Sequence, residues 1–209
     1  ISVAFGWFIY NSTQSALIQS KVEGSYVDQV RDLDIYLICI FQLIVTPLLY
    51  LFLRARGWRI TDFRMKFKWI HLAIGALLMV ISLSLFSIFS ILFNLYNDFA
   101  ATLTYHYEVE ASFLAIILII VINSIFEELF LLGYLFNRLA GTHATILIFI
   151  MFLVRMSYHT YQGIPGTFSI FAVSIVFGFY FWKYKKLWPA IIGHAFHNAY
   201  AFTVMYLIS

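Results

Sequence analysis

Apolar residues in this chain form long runs, rather than the alternating pattern of a half-buried strand or the single stripe of an amphipathic helix. A helix needs about 20 mostly apolar residues to cross a membrane. Runs that reach or approach this length predict six spans, at 35–53, 70–93, 112–136, 143–158, 167–182 and 187–208. Residues 3–20 predict a weaker seventh span because polar residues interrupt them at 11–15, and a helix lying in the membrane interface is the alternative.

Basic and acidic residues alternate between the loops that join these runs. The basic loops are 54–68, 137–142 and 183–186, which together hold 10 of the 13 lysines and arginines. The intervening loops hold acidic residues, at Glu23, Asp28, Asp32 and Asp34, and then at Asp98, Glu108 and Glu110. Because basic loops of membrane proteins face the cytoplasm, we expect a multi-pass protein of the cell membrane with its N-terminus inside and its C-terminus outside.

The composition agrees with a membrane protein. Of the 209 residues, 63% are hydrophobic and 11% are charged, whereas about half of an ordinary soluble domain is apolar and about a quarter is charged. Cys39 is the single cysteine, so no internal disulfide can form. The length fits one transmembrane domain over residues 1–209, and the start at Ile1 instead of methionine leaves room for a preceding segment.

Charged and polar side chains interrupt three of the predicted spans. An ionisable group inside a span is costly unless it is paired or wet, and by default it marks a functional site. The interrupting residues are Glu127 and Glu128, then Arg155 and His159, then His194, His197 and Asn198. Arg155 and His159 are expected on one helical face, as are His194 and Asn198, because each pair is four residues apart. The depths of these groups overlap at ~1.5 Å of rise per residue, which predicts one polar cavity inside an all-α, polytopic helical bundle.

Simpler interpretations exist for individual members of this group. The two glutamates and Arg155 could form a purely structural ion pair, and His194 with Asn198 could be polar contacts between helices. His197 points away from His194, so we expect it to line the cavity or to lie at the membrane interface instead of catalysing. Three further histidines near span ends are expected at the membrane interface, namely His71, His106 and His143.

Together these residue types suit hydrolysis of an amide bond. A glutamate in a poorly solvated cavity can act as a general base toward water, and a neighbouring histidine can orient that water. A histidine followed one turn later by an asparagine offers two donors aimed at one point, as an oxyanion hole requires. A glutamate and two histidines can instead hold zinc with a water in the open position, so a metal site is the competing use. The sequence contains no HExxH motif and no serine with a clear base partner.

The order and spacing of these residues resemble the CPBP family, also called the Abi family, which includes the type II CAAX prenyl endopeptidases. The matching motif-bearing core covers about residues 110–205. It consists of Glu127-Glu128 followed by Gly133-Tyr134, then Tyr158-His159, then His194 with Asn198. The resemblance implies that Glu127 and His159 activate water and that His194 and Asn198 form the oxyanion hole. Metal-dependent and metal-free glutamate mechanisms are both associated with this family. We expect no cofactor, and a zinc ion, if bound, would be held by Glu127, His159 and His194.

One residue departs from the family pattern EExxxR, because Leu132 occupies the position of the motif arginine. We expect Arg155 to replace it as the charge partner of Glu128, since Arg155 is the one basic residue deep inside a predicted span. A guanidinium stays charged at any accessible pH, so it must be paired or reach water. Such a pair would leave Glu127 free to exchange its proton as the base.

The resemblance implies an intramembrane endopeptidase that hydrolyses a peptide bond of a membrane-associated substrate. The expected partners are membrane lipid and a lipidated or membrane-bound peptide, of which a prenylated CAAX peptide is one option, together with a membrane protein but no nucleic acid. The alternative is a non-catalytic family member that acts as a membrane scaffold, binds a partner protein or confers immunity to a bacteriocin. A transporter fits less well because the sequence shows neither repeat symmetry nor broken spans.

Overall fold

Seven long helices make up most of the protein in a computed structural model, which describes residues 2–19, 28–93 and 107–208. In chain order they are α1 (Ser2–Gln19), α2 (Asp32–Arg54), α3 (Ile70–Leu92), α4 (Phe113–Arg138), α5 (Ala144–Ser157), α6 (Gly163–Tyr184) and α7 (Trp188–Ile208). Each helix matches one predicted apolar run to within a few residues. The predicted helical membrane bundle is therefore confirmed.

Four of these helices are long and apolar enough to cross a membrane, namely α2, α3, α4 and the Gly166–Tyr184 part of α6. Helix α5 is apolar but has only 14 residues, which extend about 21 Å against a hydrocarbon core of about 30 Å. Helices α1 and α7 carry polar residues in their middle turns. That α1, α5 and α7 also cross the membrane stays a prediction.

The basic loops lie together at one end of the bundle. Asn137 Nδ2 donates to the backbone oxygen of Asp62 at 2.6 Å, and Trp188 Nε1 donates to the backbone oxygen of Met65 at 2.9 Å. These contacts join loop 54–68 to the end of α4 and the start of α7.

The acidic loops meet at the opposite end. There strand β1 (Asp28–Val30), just before α2, pairs in parallel with strand β2 (Tyr107–Val109), just before α4. The described parts of the loops therefore follow the predicted alternation, while Glu23, Asp98 and His106 lie outside the described residues. Which end faces the cytoplasm stays a prediction.

Close packing of α3 against α7 fixes the position of the last helix. A Cβ atom at Gly75 would lie 2.6 Å from Ile192 Cγ2, and one at Gly193 would lie 3.0 Å from the backbone oxygen of Gly75. Small residues let helix backbones approach closely in a membrane. The two glycines therefore allow the contact that holds α7, and with it His194, against the rest of the bundle.

Helix α4 runs through the core and changes its winding within it. Its buried apolar side chains, including Leu131 and Phe136, pack in one cluster with Met151 of α5 and Phe177 of α6. The α-helical part ends at Glu128, and Leu129–Leu135 form a π-helical segment. Such segments are rare and are frequent at functional sites. This change of winding begins directly after the two glutamates, and the apolar pattern of the sequence does not predict it.

Candidate functional site

Glu127 and Glu128 are both buried in α4, with 4% and 0% of their surfaces exposed. Glu127 accepts a hydrogen bond at each carboxylate oxygen. Asn123 Nδ2 donates to Oε1 at 2.9 Å, and Tyr158 Oη donates to Oε2 at 2.6 Å. Because each carboxylate oxygen has two lone pairs, this arrangement fixes the carboxylate and leaves capacity for a further donor, such as a water molecule.

Glu128 has a different set of partners, and both of them are cationic or can become so. An Arg155 terminal nitrogen donates to Glu128 Oε1 at 2.5 Å, and His194 Nδ1 lies 2.8 Å from the same oxygen. Arg155 Nε is 3.9 Å from Glu127 Oε2. Arg155 therefore pairs with Glu128, as the sequence predicts, and contacts Glu127 more weakly.

Two polar side-chain contacts, one helical turn apart, connect α7 to α4. His194 lies against Glu128, and one turn further along α7 Asn198 Nδ2 donates to Ser124 Oγ at 3.3 Å. His194 and Asn198 are four residues apart on α7, and Ser124 and Glu128 are four residues apart on α4, so the two helices are antiparallel here. This register places the predicted oxyanion residues beside the two glutamates, since Glu127 also interacts electrostatically with His194.

His197 faces a different helix. Its Nε2 lies 2.6 Å from Ser82 Oγ of α3, which agrees with the expectation that it points away from His194. The contact is a polar bridge between α3 and α7 on the side of α7 that does not meet the glutamates.

His159 is not on the same helical face as Arg155, and that expectation is wrong. Helix α5 ends at Ser157, and His159 precedes a short 3₁₀ turn at Thr160–Gln162. Because helical spacing does not continue past the end of a helix, the four-residue separation carries no information here. His159 Nδ1 is 3.3 Å from Gln162 Nε2, and the imidazole still lies within electrostatic range of Glu127.

His71 is buried inside the fold at the start of α3, and its expected position at the membrane interface stays a prediction. His71 Nδ1 accepts a hydrogen bond from the Lys68 backbone nitrogen at 3.1 Å, and the imidazole is nearly perpendicular to the Phe67 ring. The side chain therefore holds the end of loop 54–68 against the start of α3. His143 is exposed just before α5, as expected.

Three polar residues of the site were not identified from the sequence. Asn123 and Ser124 lie on α4 beside the glutamates, and Gln42 Nε2 of α2 donates to Asn123 Oδ1 at 2.6 Å. All three are polar residues inside apolar runs. The rule that found Glu127 would have found them if it had been applied to uncharged side chains.

The residues named for a possible zinc site are Glu127, His159 and His194. In residues 2–19, 28–93 and 107–208, no three His, Cys, Asp or Glu side chains are grouped so that they could hold a metal ion. The expectation of a site without a cofactor stays a prediction.

The fold and this cluster define a polytopic helical membrane protein with a buried site of two glutamates, an arginine and histidines. A comparison with protein-family models identifies one similar family. Residues 108–200 match the type II CAAX prenyl endopeptidase Rce1-like family, and this segment contains Glu127, Glu128, Arg155, His159, His194 and Asn198. In this segment the chain is similar to that family of membrane proteases, which supports the resemblance identified from the motifs. No curated protein and no solved structure gives a significant match.

Proposed function

We propose that the chain is an intramembrane endopeptidase in which Glu127 activates water and His194 and Asn198 stabilise the oxyanion. The observation that supports this proposal is that two adjacent buried carboxylates have different hydrogen-bond partners. Glu128 contacts Arg155 and His194, whereas Glu127 is held by the neutral donors Asn123 and Tyr158. Environments that separate two titratable groups in this way are typical of paired acid–base roles.

The first step is proton transfer from water to Glu127. A general base must lie within hydrogen-bond reach of the proton that it removes, and the carboxylate of Glu127 has lone pairs left for such a donor. His159 interacts electrostatically with Glu127 and is the residue proposed to orient the same water. The hydroxide that forms attacks the scissile carbonyl carbon, and the carbonyl oxygen becomes an oxyanion. When this tetrahedral intermediate collapses, the C–N bond breaks and protonated Glu127 gives its proton to the leaving amine nitrogen.

The second step is stabilisation of that oxyanion by donors on α7. An ionised Glu128 only accepts hydrogen bonds, so His194 Nδ1 is the donor in their contact. The remaining ring donor of His194 is then Nε2–H of the imidazolium form. Asn198 has two amide hydrogens, of which one bonds Ser124 and the other is available for the oxyanion.

The pair of Arg155 and Glu128 supplies the charge balance of the site. Two adjacent carboxylates in a low dielectric cannot easily both ionise. The guanidinium contacts Glu128 closely and Glu127 at a longer distance. It therefore favours Glu128 as the partner of the guanidinium, and Glu127 as the carboxylate that exchanges its proton.

The substrate class follows from the depth of the site and from the family. Glu127 lies 11 residues before Arg138, the end of α4, or about 17 Å along the helix axis. A scissile bond must therefore enter the bundle. A membrane-bound or lipidated peptide can do this, and the prenylated CAAX peptide is the first candidate to test.

The experiment is hydrolysis of a panel of membrane peptides, with and without a lipid anchor, by purified protein in lipid nanodiscs. Glu127→Gln keeps the size of the side chain but removes the base, and activity should be lost. Glu110→Gln, which changes an exposed glutamate before α4, is the matched control and should behave like the parent. Equal activity of Glu127→Gln and the parent would refute the mechanism. A parent without activity on any lipidated or membrane peptide would favour a non-catalytic scaffold. The absence of the motif arginine, whose position Leu132 occupies, is the observation that favours this second function.

A further inference from the structure

A buried amide from outside the family-matched segment reaches the proposed base. Gln42 lies in the middle of α2, and only 1% of its surface is exposed. Burying an amide is costly unless it is hydrogen-bonded. Gln42 Nε2 donates to Asn123 Oδ1, and Asn123 Nδ2 donates in turn to Glu127 Oε1.

We propose that Gln42 and Asn123 are positioning residues, forming a directed chain of amides that fixes Glu127 and favours its ionised form. This inference rests on the proposed function of Glu127 as the base. Each amide accepts at its oxygen and donates at its nitrogen, so the chain runs in one direction and ends on the carboxylate. Hydrogen bonds in such chains polarise one another, and the effect is larger in a low dielectric.

The direction of this chain follows from its end at Glu127. An ionised carboxylate only accepts hydrogen bonds, so Asn123 presents Nδ2 to Glu127 and Oδ1 to Gln42. Gln42 must then donate through Nε2. The arrangement thus orients a donor toward Asn123, and through Asn123 toward Glu127.

Two variants separate the links of the chain. Asn123→Leu removes the direct donor to Glu127 with little change in volume. Gln42→Met removes the first donor, keeps the length of the side chain and leaves Asn123 in place. Ser82→Ala is the matched control, because Ser82 also forms a buried polar contact between two helices, with His197, but does not touch Glu127.

Two measurements report on the base. The first is the pH at which Glu127 takes up its proton, followed by its carboxyl infrared band and assigned by the loss of that band in Glu127→Gln. The second is the acid limb of the pH dependence of kcat/KM. In Asn123→Leu both should move upward by about one to two pH units, which is the size expected for losing a hydrogen bond to a charged group. Gln42→Met should shift them in the same direction but less.

The double variant tests whether Gln42 acts through Asn123. If it does, adding Gln42→Met to Asn123→Leu should cause no further shift, so the two effects are not additive. Ser82→Ala should leave both midpoints where the parent has them. If Asn123→Leu does not yield folded protein, the comparison of Gln42→Met with Ser82→Ala carries the test alone.

The outcomes distinguish this inference from the proposed function. Parent-like midpoints in Gln42→Met and Asn123→Leu, with activity lost in Glu127→Gln, would refute the role of the amide chain but not the protease mechanism. Shifted infrared midpoints in a protein whose activity does not depend on Glu127 would support the amide chain and refute the mechanism. An equal shift in Ser82→Ala would show a general effect of lost helix contacts and would also refute the role of the amide chain.

Discussion

Arg155 and Glu128 form a buried ion pair at 2.5 Å that joins the end of α5 to the middle of α4. The family pattern EExxxR places its arginine four residues after the second glutamate, on the same helix. Here Leu132 occupies that position and is fully buried among apolar side chains. The positive charge beside the glutamates is therefore supplied from a different helix.

Arg155→Leu should damage both folding and activity. Removing one partner of a buried ion pair typically costs about 3–5 kcal/mol because the other charge remains buried and unpaired. Arg155→Lys should retain the charge but lose the forked geometry of the guanidinium, so its loss should be smaller. Chemical unfolding in detergent and peptide hydrolysis measure the two effects. Arg31→Leu, which breaks the exposed pair with Asp34, is the control and should cost no more than about 1 kcal/mol.

Returning the charge to the family position should rescue part of that loss. In the double variant Leu132→Arg with Arg155→Leu, one guanidinium again accompanies two carboxylates. Leu132→Arg alone adds a second buried cation without a new partner, so it should be less stable than the double variant. If the double variant is no more stable and no more active than Arg155→Leu, Leu132 cannot substitute for Arg155 in this bundle.

Tyr158→Phe should make Glu127 easier to protonate without disturbing its surroundings. The change removes the hydroxyl that donates to Glu127 Oε2 but keeps the ring, which stacks on Phe5 with 4.9 Å between centroids. A hydrogen bond to a charged group contributes about 1.5–3 kcal/mol, so the acid limb of the rate profile should move to higher pH by about one to two units. Below the new midpoint, activity should therefore fall by about 10- to 100-fold. The half-exposed Tyr200 offers the control variant Tyr200→Phe, which should match the parent.

Asn198→Ala should lower kcat more than it changes KM. Donors to an oxyanion act mainly in the transition state, and removing one typically costs about 10²- to 10³-fold in kcat. Ser124→Ala is the informative control, because it removes the acceptor of one Asn198 hydrogen but leaves both hydrogens available. A Ser124→Ala enzyme as impaired as Asn198→Ala would indicate that the contact is structural.

The active protein should not depend on tightly bound zinc. An asparagine amide is a poor zinc ligand, and among the described residues no three His, Cys, Asp or Glu side chains are grouped so that they could hold a metal ion. Elemental analysis of active protein, before and after dialysis against a chelator, measures the metal content beside the activity. One zinc per chain that disappears together with activity would contradict this expectation.

The three basic loops should be labelled from the cytoplasmic side. Cys39 is buried and is the single cysteine, so Cys39→Ser gives a background without reactive thiols. Single cysteines at Thr61 and Arg138 should react with an impermeant maleimide only when it is applied from the cytoplasm. A cysteine at Glu110 should react only from the outside. Labelling of Thr61 and Glu110 from the same side would contradict the predicted topology.

The sequence by itself determined the helices and the charged members of the site. Apolar runs of span length have few alternatives to helices in a membrane, because every backbone polar group must be satisfied within the segment. The same argument identified Glu127, Glu128, Arg155 and His194, since charged or polar residues inside a span are costly unless they meet partners. Neither inference needs to know how the helices pack.

The tertiary structure decided which partner each site residue meets. The rotation and offset of α2, α5 and α7 around α4 are set by packing, including the close approach at Gly75 and Gly193, and no local period encodes them. That packing joins Glu128 to both Arg155 and His194, and it brings Gln42 to Asn123 across 81 positions of sequence. Helical spacing also gave a wrong expectation for His159. Helix α5 ends at Ser157, so His159 is not part of the helical face that contains Arg155.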